Sequence, residues 1–362
     1  MIHIILGTKA QLIKMAPVMV ELNTQGTPYR FISTGQHRDT MNELLDNFGL
    51  RRPDYTLYNG KDITSILSMT VWASRILLMT LFKKQKIFGE QKKGIVLVHG
   101  DTFSTLLGAF MGKFARLLVG HVESGLRSHN WFHPFPEELI RVLVFRLSDY
   151  YFCPDDNAIK NVSKYPGAKI STGANTLLDA LRLAEKNIDA SEVDIPQEAY
   201  AVVSLHRFEN IRNERALMRV VNLIEESAKH NIKLLFILHN PTEKKLKKLD
   251  LYNRLANNPN IELRPRYDYF KFIKLIKHSE FVISDGGSNQ EECAYLGKPT
   301  LLFRKTSERG EGLGSNCVIS EYSLKIASEF YDNYKNYKKE PQLLKHQPST
   351  VIVKNLRQKS NP

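Results

Sequence analysis

The sequence predicts an α/β protein made of two doubly wound, parallel-sheet domains. Three observations carry that expectation. Short apolar runs recur through both halves (2–6, 95–98, 201–205, 233–238 and 281–283), and each ends in a polar or glycine-bearing cluster. Helix-period segments separate these runs, and alternation of this kind implies parallel strands covered on both faces. The pattern pauses at the charged, weakly apolar stretch 185–196 and then restarts, and a chain of 362 residues is too long for one ordinary core. The expected layout is a domain over 1–185, a second over 196–340, and an irregular tail over 341–362.

The first unit reads as strand Ile2 to Leu6, a turn at Gly7, and a helix carrying Ile13, Met15, Val18, Met19 and Leu22. Gly7 permits a tight turn, and the amides after it, with Lys9 and Lys14, form a candidate phosphate site at a helix N-terminus. A strand from Tyr29 to Ser33 ends at Gln36, His37 and Arg38. The apolar segment from Ile63 to Phe82 is long enough to raise the question of a membrane span. Spanning would place Arg75 near its middle at about 2.5–3.5 kcal/mol, so a buried or interfacial helix is expected. The basic tract Lys83 to Lys86 beside it leaves peripheral contact with a membrane surface open.

Next comes the richest stretch, residues 98–141. The strand ending at Val98 runs into His99, Gly100, Asp101 and Thr102. A strand read at Leu117 to Val119 ends at His121, Val122, Glu123, Ser124 and Gly125, and a third cluster is Pro134 to Glu138. Ligands collect past the carboxyl ends of strands in open α/β sheets. Asp101, Glu123 and Glu137 therefore stand where side chains can converge, the arrangement that proton transfer needs. A plainer reading stands beside it, since an acid after a strand often only caps the next helix. The presence of His121, Arg127 and His133 around the three favours chemistry.

In the second half, strands end at His206-Arg207-Phe208-Glu209, at His239-Asn240-Pro241 and at Ser284 to Glu292. Gly286, Gly287 and Ser288 at a strand-to-helix junction let a diphosphate approach the backbone, with amides and helix dipole aimed at it. Glu292, one turn into that helix, is placed to accept from ribose hydroxyls. The alternative is a plain turn.

Composition narrows the class. Hydrophobic residues make up 42% and charged residues 25% of the chain, which suits a soluble globule. The formal charge of +13 suits an anionic ligand, nucleic acid or an anionic surface. Cys153, Cys293 and Cys317 show neither metal spacing nor a pairing pattern, so a reducing, cytoplasmic setting is expected.

The motifs GTKAQLIKMAPV (7–18), TGQHR (34–38), VHGDT (98–102), GHVESGLRS (120–128), PFPEE (134–138), LHRFEN (205–210), SDGGSNQEE (284–292) and LGKPTLLFRKTSER (296–309) stand in one order. In them the chain resembles the non-hydrolysing UDP-N-acetylglucosamine 2-epimerase family over roughly residues 2 to 320. The resemblance implies two Rossmann-like domains facing across a cleft in a GT-B-like fold, a UDP-sugar substrate, a homodimer, and no metal or redox cofactor. It implies anti elimination of UDP to a glucal, followed by re-addition with a proton from the other face. By the same resemblance, Asp101, Glu123, Glu137 and His206 are catalytic. Lys9, Lys14, Arg141, Arg207, Gly286, Gly287, Ser288, Gln290, Glu292 and Arg309 bind substrate, and Gln36, His37 and Arg38 are regulatory. This chain departs from the family pattern at Lys9-Ala10-Gln11 and at Phe208. The alternatives are a GT-B-like glycosyltransferase at a membrane surface and a hydrolysing epimerase. Nucleic-acid binding is disfavoured, because the carboxylate cluster repels phosphates and no RNA-binding motif is present.

Overall fold

The computed structural model describes residues 1–36, 41–60, 62–63, 66–90, 93–131, 135–189, 192–230, 232–307 and 309–360. They form two compact units, Met1–Leu183 with His346–Pro362, and Ala184–Lys345.

The first unit is built on a seven-stranded sheet of β1 (Ile2–Leu6), β2 (Tyr29–Ser33), β3 (Tyr55–Thr56), β4 (Ile95–His99), β5 (Leu118–Val122), β6 (Tyr150–Cys153) and β7 (Ala168–Ser171). Their order is β3-β2-β1-β4-β5-β6-β7, with every pairing parallel. All five residues of β1 are buried, as expected for a strand with helices on both faces. The order reverses between β1 and β4, so the crevice above their carboxyl ends is the switch point at which such sheets bind ligands.

The turn above β1 shows how local sequence builds that edge. Thr8 caps the helix Lys9–Thr24 by accepting from the Gln11 amide, and the Gln11 side chain accepts from the Gly7 amide at 2.9 Å. Gln11 Nε2 also donates to the His99 carbonyl and to Thr105 Oγ1, each at 2.9 Å, tying the β1 turn to the β4 turn. Gly7 must lack a side chain there, since a Cβ would lie 1.9 Å from Ser104 Oγ.

The second unit holds β8 (Tyr200–Ser204), β9 (Lys233–Ile237), β10 (Ile261–Arg264), β11 (Val282–Ser284), β12 (Thr300–Leu302) and β13 (Cys317–Ile319). Their order is β10-β9-β8-β11-β12-β13, again all parallel. Its switch point lies between β8 and β11. One face of the sheet packs Val203, Phe236, Ile283 and Phe303 into a core with Phe281 and Phe330.

Two expectations need correction. Residues 341–362 are not an irregular tail, because Pro348–Ser360 is a helix that packs on Lys9–Thr24 in the first unit. Ile352, Val353 and Leu356 bury its inner face, and Asp179 accepts from the Ser349 amide at 2.7 Å at its start. Those apolar residues sit among Lys, Gln and Asn, and the helix is organised by a surface more than 300 positions away in sequence. Second, β5 runs through His121 and Val122, so His121 is a fully buried strand residue and Glu123 is the first residue past the edge. The segment 63–82 forms, as expected, a part-buried helix: Ile66–Phe82 has 17 residues and is buried on one side through Trp72 and Ile76. No described helix is long and apolar enough to cross a membrane.

Candidate active site

The first unit places two ion-paired carboxylates at its switch point. Glu123 follows β5 with a backbone φ of 60°, a left-handed conformation that a non-glycine residue holds only when its surroundings impose it. Lys14, one turn into the helix after β1, supplies the constraint. Its Nζ lies 2.6 Å from Glu123 Oε2, and His99 Nε2 at the end of β4 lies 3.0 Å from the same oxygen. Three strand ends thus meet at one carboxylate oxygen. His121, on β5, is pinned by Nε2 to the Gly100 carbonyl at 2.8 Å, and burial pushes its imidazole down to about 4. That ring is neutral at pH 7, so it places no second positive charge beside Lys14.

Asp101 is not a helix cap. Thr102 takes that role for Phe103–Phe114 by accepting from the Thr105 amide, which leaves the Asp101 carboxylate for Arg141. Arg141 donates from Nε to Asp101 Oδ2 at 2.8 Å, with Nη2 2.6 Å from the same oxygen. Its Nη1 reaches Glu138 Oε2 at 3.3 Å. Glu138, on the helix Glu137–Leu147, is completely buried and also accepts from Arg127 Nε and, at 3.1 Å, from the Ser128 amide. Burial works against its charge, but the Arg127 hydrogen bond, the Ser128 amide and the two guanidinium charges outweigh it and hold the carboxyl below its ordinary range. Glu137 begins the same helix and differs from its neighbour. Among the described residues its Oε2 is buried and meets no hydrogen-bond partner. A carboxyl oxygen left so is a candidate to exchange a proton with a ligand.

Lys9 occupies the first position of its helix and is partly buried. Gln36 is buried, its Oε1 accepting from Ser104 Oγ at 2.7 Å. His37, Arg38 and His133 lie outside the described residues.

The second unit is organised by Asp285, a fully buried residue directly after β11. Its carboxylate accepts from the His206 amide at 3.0 Å, the Arg207 amide at 3.0 Å and Asn210 Nδ2 at 2.8 Å, so it bends the chain after β8 around itself. The His206 ring is thereby held at the edge, stacked on His239 with centroids 4.4 Å apart and its side chain 38% exposed. Burial lowers its pKa against the opposing pull of Asp285, so the neutral ring is favoured.

The helix Gly287–Leu296 starts at the same edge with Gly286 at its N-cap, an open site for an anion at a helix N-terminus. A Cβ on Gly286 would come within 3.0 Å of His206, and one on Gly287 within 3.0 Å of Arg309. Ser288 is partly buried at the second helical position. Gln290 is fully buried and holds Ser307, Arg309 and Glu311. It donates to the carbonyls of Arg309 at 3.0 Å and Glu311 at 2.8 Å, and accepts from Ser307 Oγ at 2.6 Å. Arg309 is fixed by Glu291 Oε2 at 2.7 Å. Glu292, nearly buried, accepts from Asn289 Nδ2 at 2.9 Å.

Residue-by-residue reading had not singled out His99, Glu138, Asp285 or Glu291. Each lies inside a motif already noted, within two positions of a chosen residue, and only side-chain direction separates anchor from edge.

Two Rossmann-like sheets, one ending in ion-paired carboxylates and the other in a glycine turn at a helix N-terminus, define a GT-B-like α/β enzyme of the nucleotide-sugar class. A family model described as UDP-N-acetylglucosamine 2-epimerase matches residues 21–348. The UDP-N-acetylglucosamine 2-epimerase of Methanococcus maripaludis is 34% identical over 88% of this chain and 87% of its own length. That of Bacillus subtilis is 29% identical over 99% and 90%. Among solved structures, the Neisseria meningitidis UDP-GlcNAc 2-epimerase bound to UDP-GlcNAc superposes with a TM-score of 0.83 at 26% identity, covering 99% of both chains. The Methanocaldococcus jannaschii enzyme in complex with UDP-GlcNAc and UDP gives 0.78 at 28% identity, again over 99% of both chains. The chain belongs to the UDP-N-acetylglucosamine 2-epimerase family.

Proposed function

We propose that the protein interconverts UDP-N-acetylglucosamine and its manno C2 epimer by eliminating and re-adding UDP. The observation that carries the mechanism is the two ion-paired carboxylates at the first unit's switch point, Asp101 and Glu123, with Glu137 at the start of the helix whose Arg141 holds Asp101. The first two are paired with cations, and Glu137 has a buried oxygen without a partner among the described residues.

Carbon 2 of the sugar is not beside a carbonyl, so its proton is barely acidic. As the bond from carbon 1 to the diphosphate oxygen breaks, positive charge grows next to it and the proton becomes removable. A base takes that proton, the electron pair forms the C1–C2 double bond, and UDP leaves with the bonding pair of its oxygen. In the return step a proton arrives at the opposite face of carbon 2 and UDP re-adds at carbon 1. Both faces of the sugar therefore need an acid/base group, and Asp101, Glu123 and Glu137 supply them. Lys14 and Arg141 hold two of these groups in place. In the second unit the Gly286–Ser288 turn receives the diphosphate on helix amides, Arg207 and Arg309 add charge, Glu292 takes ribose hydroxyls, and His206 serves the leaving oxygen. Gln290 contributes indirectly, by holding the Arg309 loop.

The reading carries with it a cytoplasmic homodimer that supplies a ManNAc-type sugar nucleotide for surface polysaccharide, with peripheral membrane contact at the most. The transferase and hydrolysing alternatives gain nothing from the relatives, whose names are those of 2-epimerases. Proton NMR of the protein with UDP-N-acetylglucosamine in deuterated water tests the proposal. Loss of the C2 proton signal with growth of the manno anomeric signal is expected. Release of free sugar and UDP, or no exchange while UDP binds, would overturn it.

A further inference from the structure

Behind the His206 edge a chain of hydrogen bonds leads away from the site into a strained turn. Asn210, on the short helix Phe208–Ile211, is fully buried. Its Nδ2 donates to Asp285 Oδ2 at 2.8 Å and to the Phe303 carbonyl at 3.1 Å, and its Oδ1 accepts from the Tyr322 hydroxyl at 2.7 Å. Both ends of one amide are thereby engaged, and the donor at Oδ1 fixes which end faces Asp285. Burial, with the Glu209 charge, raises the Tyr322 pKa above its ordinary value, so at neutral pH the hydroxyl remains a donor.

Tyr322 stands 112 residues from Asn210 in sequence, in the connection between β13 and the helix Leu324–Asn333. The backbone there is costly. Glu321 and Tyr322 have φ of 52° and 61°, two successive non-glycine residues in the left-handed region. Such a conformation persists only where the surroundings impose it. The Glu321 amide donates to the Arg304 carbonyl at 3.0 Å, and the Tyr322 amide donates to Ser320 Oγ at 3.2 Å. The Arg219 guanidinium carbon lies 3.6 Å from the Tyr322 ring centroid and holds the ring from its outer side. Starting the next helix does not require this strain, because Ser323 caps it by accepting from the Ile326 amide. What the turn achieves is the direction of the Tyr322 hydroxyl, inward onto Asn210.

We propose that Tyr322 is a positioning residue for His206 and Arg207, acting through Asn210 and Asp285. Asp285 accepts from the His206 and Arg207 amides and from Asn210, and its Oδ1 lies 3.6 Å from His206 Nδ1. Asn210 thus steadies the carboxylate that holds both site residues, and Tyr322 steadies Asn210. Without the hydroxyl, Asn210 Oδ1 loses this donor in a buried setting, the amide turns toward another, and Asp285 loses one of its own donors. The proposal rests on the roles given to His206 and Arg207 in the preceding section and adds a residue that acts from behind them.

Two neighbouring variants test it. Tyr322→Phe removes the hydroxyl and keeps the ring beside Arg219, whereas Ser323→Ala removes the helix cap and leaves the relay intact. In C2 proton exchange with UDP-N-acetylglucosamine, Tyr322→Phe is expected to lower kcat about tenfold, the scale of a modest misplacement of a site residue, with KM nearly unchanged. Ser323→Ala is expected to keep the wild-type kcat and to lower only the urea midpoint. A Tyr322→Phe protein with wild-type kcat, whatever its stability, overturns the proposal.

Histidine ring NMR, with the His206 signal assigned through His206→Gln, gives a readout independent of turnover. The groups facing that ring are Asp285 after β11, Arg207 beside it, Arg266 after β10 and the stacked His239 after β9. Asp285 favours the imidazolium and the two arginines oppose it. An Asp285 that has lost the Asn210 donor should therefore move the His206 titration midpoint to higher pH in Tyr322→Phe, and not in Ser323→Ala. An unmoved midpoint overturns the relay. A moved midpoint in a protein whose wild type exchanges no C2 proton leaves the relay standing and overturns the epimerase reading instead.

Discussion

Lys14 Nζ lies 2.6 Å from Glu123 Oε2, and both side chains are less than a tenth exposed. The pair joins the helix after β1 to the residue after β5, and it brings a left-handed glutamate and a buried ammonium to one point. Removing one partner of such a pair leaves an uncompensated buried charge, a cost of about 3–5 kcal/mol. Lys14→Ala should therefore lower both the denaturant midpoint and turnover. Glu123→Gln keeps the shape and should cost turnover about 10²–10⁴-fold. Equal losses of stability with little loss of rate would reduce the pair to scaffolding.

Asp101 and Thr102 are neighbours with separable duties. Thr102→Ala removes a helix cap and should cost about 1 kcal/mol in stability with kinetics nearly intact. Asp101→Asn should do the reverse, cutting the NMR exchange rate about 10²–10⁴-fold while calorimetry finds UDP affinity within a few-fold. Glu137→Gln should behave like Asp101→Asn. Wild-type exchange in either carboxylate variant would remove it from the chemistry.

In the second unit the expected signature is affinity. Ser288→Ala and Glu292→Gln should weaken UDP binding by about tenfold, the loss of roughly one hydrogen bond to a charged partner. Gly287→Ala should weaken it as well, since the new Cβ would press on Arg309 at 3.0 Å. UDP titrations indistinguishable from wild type in all three would leave the loop a simple turn.

Acid should destabilise the fold through its buried histidines. His3 is fully buried in β1 with neither ring nitrogen partnered among the described residues, and burial, then the N-terminal charge and Arg30, push it down to about 4. Burial holds His121 at about 4 as well. Each ring is neutral in the fold, whereas its ordinary pKa is about 6.5. Between those values the unfolded chain binds more protons. Stability present above about pH 6.5 is thus lost as pH falls toward 4, by up to about 3 kcal/mol per ring. His3→Leu should flatten the fall in urea midpoint between pH 7 and 4.5. An unchanged slope would show that His3 does not contribute.

The class of fold and the places where chemistry collects are legible in the sequence alone. Strand and helix periods are local properties, and each polar cluster past an apolar run, from Gly7 to Arg309, was legible because a parallel sheet puts such residues at one edge. Which member of a cluster faces the edge and which faces inward was decided only by tertiary packing. Asp101 rather than Thr102 is offered to Arg141 because Thr102 can close a hydrogen bond within its own turn, and the longer-range partner is invisible to local pattern. Asp285 beside Gly286 is an anchor because the chain after β8, nearly 80 residues earlier in sequence, brings two amides and Asn210 to it. The helix Pro348–Ser360 followed the same rule. Its apolar face became meaningful only against a helix from the start of the chain, because burial is a property of the surface met and not of the segment that meets it.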